Sequence, residues 1–232
     1  MRVPSASTLL PLLPALLFGA GLLPLAAQEP AHQSSHEPGD HDEAVKGGGS
    51  VPAGWSVRAD ENAGTANVKV LPMGKGIHVT LGPAILLYQE QHAGTGPFHT
   101  LATFTQTKRT THAEGYGLFY GGEGLDGAAQ KYTYFLVRQD GTYLVKSRDG
   151  GKTTEITKGW VASPAVHKAD ATGATTNLLE IDHKRDPSKV VFLVNGQPVY
   201  RLDAGATHAD GQVGMRINHN LDLHVDGFDV HR

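Results

Sequence analysis

Asp140-Gly141 stands between two runs rich in β-branched and aromatic residues, 131–139 and 142–147. That dipeptide between such runs is a strong hairpin signal, because tight hairpin turns need positive φ, which Gly adopts freely and Asp tolerates. Asn195-Gly196 repeats the arrangement between 189–194 and 197–202. A chain with two such reversals is committed to antiparallel pairing. Helical periodicity is nearly absent: no stretch of about eleven residues carries an i, i+3, i+4, i+7 apolar stripe without a Gly or Pro breaking it. Further strand-like runs lie at 66–71, 77–81, 85–89, 98–105, 117–120, 178–183, 213–218 and 221–230. Many short strands with Gly, Pro, Asn and Asp between them predict an all-β fold, a two-sheet antiparallel β-sandwich. Residues 164–174 read as a longer loop with room for a short helical turn.

Facing residues of a hairpin share a side, so parity sorts the side chains. A two-residue loop at Asp140-Gly141 sets Arg138 against Tyr143, Leu136 against Val145 and Tyr134 against Ser147, with Tyr132 on the same side. Both sides of that pair are substantially apolar or aromatic, which predicts a central position in its sheet and one face that serves as a groove. At the C-terminal end, a three-residue loop Asn218-His219-Asn220 sets Ile217, Met215 and Val213 against Leu221, Leu223 and Val225. It also sets Arg216 against Asp222 on the other side, with His224 beside them. This predicts a hairpin with an Asn in the left-handed region and an Arg216–Asp222 pair. Apolar positions then change parity at Gly227, the mark of a bulge.

Residues 1–27 read as a secretory signal. Arg2 precedes an apolar stretch interrupted by Pro11, Pro14 and Pro24, and Ala26-Ala27 offers a cleavage point. The prolines argue against a stable membrane-spanning helix. The expected location is therefore outside the cytoplasm, periplasmic or extracellular, with no membrane span after cleavage. Residues 28–50 have almost no apolar content and close on Gly47-Gly48-Gly49-Ser50, the composition of a disordered linker. His32, His36 and His41 within it are candidate ligands for a loosely held divalent metal. The chain has no cysteine, so disulfides and thiol catalysis are excluded. Net charge is −3 with no basic cluster, which gives no footprint for nucleic acid. Residues 51–232 suffice for one domain of the usual ~100–200 residues.

The order of motifs resembles a known pattern: Tyr116-Gly117-Leu118-Phe119-Tyr120-Gly121-Gly122, the hairpin at Asp140-Gly141, Trp160 with Ser163-Pro164-Ala165-Val166, Phe192-Leu193-Val194-Asn195-Gly196, and Gly211-Gln212-Val213-Gly214-Met215. In this order they resemble the concanavalin A-like lectin/glucanase jelly roll, closest to its laminin-G-like and DUF1080-like branches in exported bacterial proteins. The resemblance implies two antiparallel sheets, one of them concave. It implies little about activity, since that fold serves lectins, glycosidases, lyases and interaction modules.

Laminarinase-like members carry Glu-x-Asp-x-x-Glu on one strand. Here Glu180 and Asp182 fill the first two positions, and Arg185 replaces the third. Retaining hydrolysis needs two carboxyls ~5 Å apart, so the catalytic pair is incomplete. The DUF1080-like branch resembles enzymes that cleave 3-keto-glucosides. Its Asn-Ser-Gly element is missing, and Glu114 is the nearest acid. Two binding sites are candidates. One is the polar set Arg216, Asn218, His219, Asn220, Asp222 and His224. The other is the face of Tyr132, Tyr134, Tyr143 and Arg138, whose rings suit stacking on sugars. A divalent metal such as calcium is the one cofactor the resemblance allows, through loop oxygens of Asp126, Asp140 or Asp149. The expected function is a non-catalytic binding module for a glycan or cell-surface component. A glycoside hydrolase or lyase, and an accessory subunit that binds another exported protein, are the alternatives.

Overall fold

Strict alternation builds the sandwich. Residues 99–106 run half-buried and buried in turn, so one side of that strand enters a core while the other faces outward. The computed structural model describes residues 41–232. Among them are fifteen strands: β1 (Ser56–Ala59), β2 (Val68–Met73), β3 (Gly76–Leu81), β4 (Ile85–Tyr88), β5 (His99–Gln106), β6 (Gly115–Glu123), β7 (Lys131–Arg138), β8 (Thr142–Asp149), β9 (Lys152–Glu155), β10 (Val161–Ala162), β11 (Thr175–Asp182), β12 (Lys189–Val194), β13 (Gln197–Asp203), β14 (Gln212–Ile217) and β15 (Asp222–His231). The eight-stranded sheet runs β1-β4-β14-β6-β7-β8-β10, with β9 beside β8. The seven-stranded sheet runs β13-β12-β11-β5-β15-β3-β2, and all pairings between these strands are antiparallel. The expected all-β, two-sheet sandwich of jelly-roll type is the observed fold. Its core holds Phe98, Phe104, Tyr116, Tyr120, Phe135 and Phe192, each fully buried between the sheets.

Turn chemistry settles the registers. Asn195 and Gly196 both take positive φ, 52° and 75°, and Val194 pairs with Gln197, so this is the expected two-residue loop. Asp140-Gly141 is different. Only Gly141 is left-handed, its N–H donates to the Arg138 carbonyl, and Arg138 pairs with Thr142. The loop therefore has three residues, a type I turn closed by a glycine bulge. That one-residue change moves Tyr143 opposite Val137 and onto the core side, away from Tyr132, Tyr134 and Arg138.

The expected C-terminal hairpin does not form. β14 pairs with β4 and β6 in one sheet, β15 with β3 and β5 in the other, and residues 218–220 carry the chain between them. Val213, Met215, Ile217, Leu221, Leu223 and Val225 are all buried, because they enter the same core from opposite sheets. Asn220 is left-handed (φ 54°) as expected, and Gly227 (φ 62°) sits in a register shift between Asp226 and Asp229. Arg216 and Asp222, however, lie on the outer faces of different sheets and do not pair. Residues 164–174 hold turns and no helix.

The leader expected at 1–27 and the expected linker as far as His32 and His36 lie outside the described residues. Residues 41–50 rest against the sandwich. Gly49 N–H donates to the carbonyls of Thr65 and Val68, Val70 N–H donates to Ser50, and Glu43 N–H donates to Asn220 Oδ1.

Asn195 also anchors its turn. Its Oδ1 accepts from Leu178 N–H at 2.9 Å, and its Nδ2 donates to the Ala165 carbonyl and to Asn177 Oδ1 at 2.8 and 2.9 Å. Asn195→Ala loses these bonds and places an alanine at positive φ, so urea unfolding should register a loss of about 2–3 kcal/mol.

Candidate functional site

The centre of the eight-stranded sheet is buried on both faces. Every residue of β14, and all of β6 except Glu123, is buried. Inward side chains form the sandwich core, and outward ones form a second apolar layer: Leu86, Phe119, Leu125, Tyr132, Tyr134 and Leu136, with Tyr88 and Trp160 against them. Phe119 meets Tyr88 edge-on at 6.3 Å and Tyr132 at 5.6 Å, and Tyr132 meets Tyr134 at 5.5 Å. Two glycines make room for this layer. A Cβ on Gly214 would lie 2.6 Å from the Phe119 ring and 2.7 Å from Tyr88 Cβ. One on Gly115 would lie 2.7 Å from the Trp160 indole. The indole in turn carries the Arg138 guanidinium 4.4 Å above its centroid.

Charge is set into this aromatic floor. The short turn Asp60–Asn62 after β1 brings Asp60 over β14, where Arg216 binds it with two parallel bonds of 2.9 and 2.6 Å. Arg58 from β1 and Arg148 from β8 approach the same carboxylate at 3.7 and 3.8 Å. Arg216 Nε also donates to Asn218 Oδ1. Burial works to raise the Asp60 pKa, but Arg216, Arg148 and Arg58 together hold it below the ordinary carboxylate range. Burial pushes the Tyr134 phenol up to about 12, against the pull of Arg216 and Arg148.

This face brings together four of the expected residues, Tyr132, Tyr134, Arg138 and Arg216, with Asn218 at its end. It excludes Tyr143, whose hydroxyl donates to the Val199 carbonyl on the core side. Parity from the sequence missed Asp60 and Arg58, which arrive from a strand and turn distant in the chain, and Arg148, which the three-residue loop brings opposite Tyr132 and the two-residue register had placed on the other side. Trp160 was legible only as a motif residue.

The other expected residues are elsewhere. Asp222 and His224 stand on the outer face of the seven-stranded sheet. There Asp222 accepts from Thr80 Oγ1 at 3.0 Å and lies 3.1 Å from His78, while His224 lies 3.0 Å from Asp226. His99 and Glu180 form a similar contact at 3.1 Å, and His231 and Asp229 one at 3.6 Å. Asp182 caps its turn by accepting from the N–H groups of Lys184 and Arg185, and Arg185 also lies 3.5 Å from it. His219 binds Asp42 at 2.7 Å, and Asn220 binds Glu43 and His41. Glu114 and His41 line a polar cavity of about 220 Å³ with Glu43, Lys108, His112 and Asn220. Among the described residues no group of three or more His, Asp or Glu side chains is arranged to hold a metal ion. Asp140 is engaged with Arg138 and Thr142, and Asp149 with Lys131.

No protein-family signature matches the sequence, and no curated sequence is significantly similar to it. Solved structures of the same fold exist. The carbohydrate binding module CBM66 from Bacillus subtilis superposes with a TM-score of 0.56 at 10% identity, over 77% of this chain and 96% of that one. The carbohydrate recognition domain of Emp46p, in its metal-free form, gives 0.49 at 11% identity over 77% and 88%. The first of these shares the two-sheet sandwich. Both of these neighbours are carbohydrate-binding domains by name.

Asp60 is the residue on which the charged cluster turns. Asp60→Asn leaves Arg216 buried without a counter-charge and should cost about 3 kcal/mol near neutral pH. Because the folded-state pKa is depressed, the stability Asp60 adds is complete above its unfolded value of about 3.9 and drains as pH falls through the folded one. Unfolding measured from pH 7 downwards should show that acid-limb dependence in the parent and a weaker one in Asp60→Asn.

Proposed function

We propose that this domain is an exported, non-catalytic module that binds a glycan on the outer face of its eight-stranded sheet. The observation that carries the reading is the arrangement of rings and guanidiniums there: Tyr88 and Trp160, half-buried, border the buried Tyr132 and Tyr134, with Arg138 stacked on Trp160 and Arg216 fixed below. Aromatic bodies with polar tips suit sugar rings, whose faces are apolar and whose rims are hydroxyls. The leader-like residues 1–27 support export to the periplasm or beyond. The fold shared with a carbohydrate binding module supports a binding role by analogy.

The hydrolase reading draws no support from its candidate residues. Asp182 is a turn cap, Glu180 is paired with His99, and Arg185 stands where the third acid would be. An accessory subunit would present a broad apolar surface. The exposed large apolar side chains among the described residues are Leu71 and Met73, both on the edge strand β2, and scattered apolar residues of that kind are ordinary.

The test is affinity electrophoresis across a polysaccharide panel. Trp160→Ala and Arg138→Ala should each weaken retention about tenfold, or ~1.4 kcal/mol, without loss of the folded state. Tyr143→Ala should change stability but not the choice of glycan. Failure of every polysaccharide to retard the parent protein removes the proposal.

A further inference from the structure

Three guanidiniums converge on one carboxylate, and only one of them is satisfied by it. Arg216 takes both Asp60 oxygens. Arg58 and Arg148 stop at 3.7 and 3.8 Å, beyond hydrogen-bond range. Their remaining contacts are to backbone: Arg58 Nη2 donates to the Gly127 carbonyl at 3.4 Å, and Arg148 Nε to Gly150 at 3.0 Å. Arg58 Nη1 is buried with no hydrogen-bond partner. The other charges of this face are committed or peripheral. Lys146 pairs with Glu155, and Arg138 with Asp140. Asp126 and Glu90 are within electrostatic reach of Tyr88, and Glu61 is exposed next to Asp60. Three positive charges thus share one negative charge in a partly desolvated setting.

An orphaned buried donor and an unbalanced buried charge both cost free energy, and an incoming anion relieves both. Arg58 and Arg148 are only 17% and 23% exposed at their side chains, so they reach the surface without being free in water. Their forks match the two oxygens of a carboxylate or sulfate group.

We propose that this site takes an acidic saccharide, with Arg58 and Arg148 binding the carboxylate or sulfate oxygens of the sugar and Arg216 locked to Asp60 as their support. This rests on the glycan-binding reading and narrows it to a ligand class.

The test uses the full domain on three immobilised polymers: polygalacturonate, a sulfated glycosaminoglycan and the neutral glucan laminarin. An acidic polymer should be retained and released by rising salt, and the two acidic arms tell carboxylate from sulfate. Arg58→Gln and Arg148→Gln should each weaken that retention about tenfold with the melting temperature held. Arg58→Lys, which keeps the charge and loses the fork, should fall between, and it decides the matter if Arg58→Gln does not fold. Retention of laminarin alone, or undiminished acidic retention in the Gln variants, overturns this inference and leaves the glycan reading standing. Retention of none of the three across the wider panel overturns both.

Discussion

Arg216 places a guanidinium on the outer face of a central strand, in a position whose neighbours along the strand are fully buried. A charge there has to be matched, since removing an unpaired ion from water is costly. The match comes from Asp60, 156 residues away in sequence, at the point where the chain leaves β1 in one sheet for β2 in the other. The turn that presents it is irregular, with Glu61 at φ 52°. One ion pair therefore ties the crossover between sheets to the middle of the eight-stranded sheet. Arg58 and Arg148 gather about the same carboxylate, at 3.7 and 3.8 Å.

Much of the fold is written in local chemistry. The Asn195-Gly196 reversal and the bulge at Gly227 follow from residues that tolerate positive φ, and the structure has them where the sequence places them. Asp140-Gly141 shows the limit of that logic. The same dipeptide serves a two-residue loop with both residues left-handed or a three-residue loop with the glycine alone left-handed. The choice shifts register by one and reverses the side on which Tyr143 lies. The C-terminal strands show a second limit. In a sandwich the inward side chains of both sheets are apolar, so perfect parity between 213–217 and 221–225 fits a hairpin and a passage between sheets equally well. Only the outward residues tell the two apart, and for Arg216 and Asp222 they do so through partners remote in the chain: Asp60 for one, His78 and Thr80 for the other. Candidate residues that share a strand were recognisable as a group, while those assembled by the packing of distant turns were not.

The two outer faces handle charge in opposite ways, and the contrast bears on which of them binds. On the seven-stranded sheet each imidazole has a carboxylate of its own: His78 with Asp222, His224 with Asp226, His99 with Glu180 and His231 with Asp229. Opposed pairs stack across strands, His78 on His224 at 6.4 Å and His99 on His231 at 5.9 Å, so the charges of that surface are matched pair by pair, although Nδ1 of His78 and of His224 is buried without a hydrogen-bond partner. A face balanced pair by pair offers an incoming ligand little that solvent does not already supply, and partly exposed pairs of this kind contribute little. On the eight-stranded sheet the charges are not distributed but concentrated, three guanidiniums about Asp60, over a floor of rings held open by Gly115 and Gly214. Recognition depends on groups fixed in place before the ligand arrives and left short of partners until it does. Of the two faces, the eight-stranded sheet's meets both conditions: its rings are locked by packing, and its arginines outnumber the carboxylate that holds them.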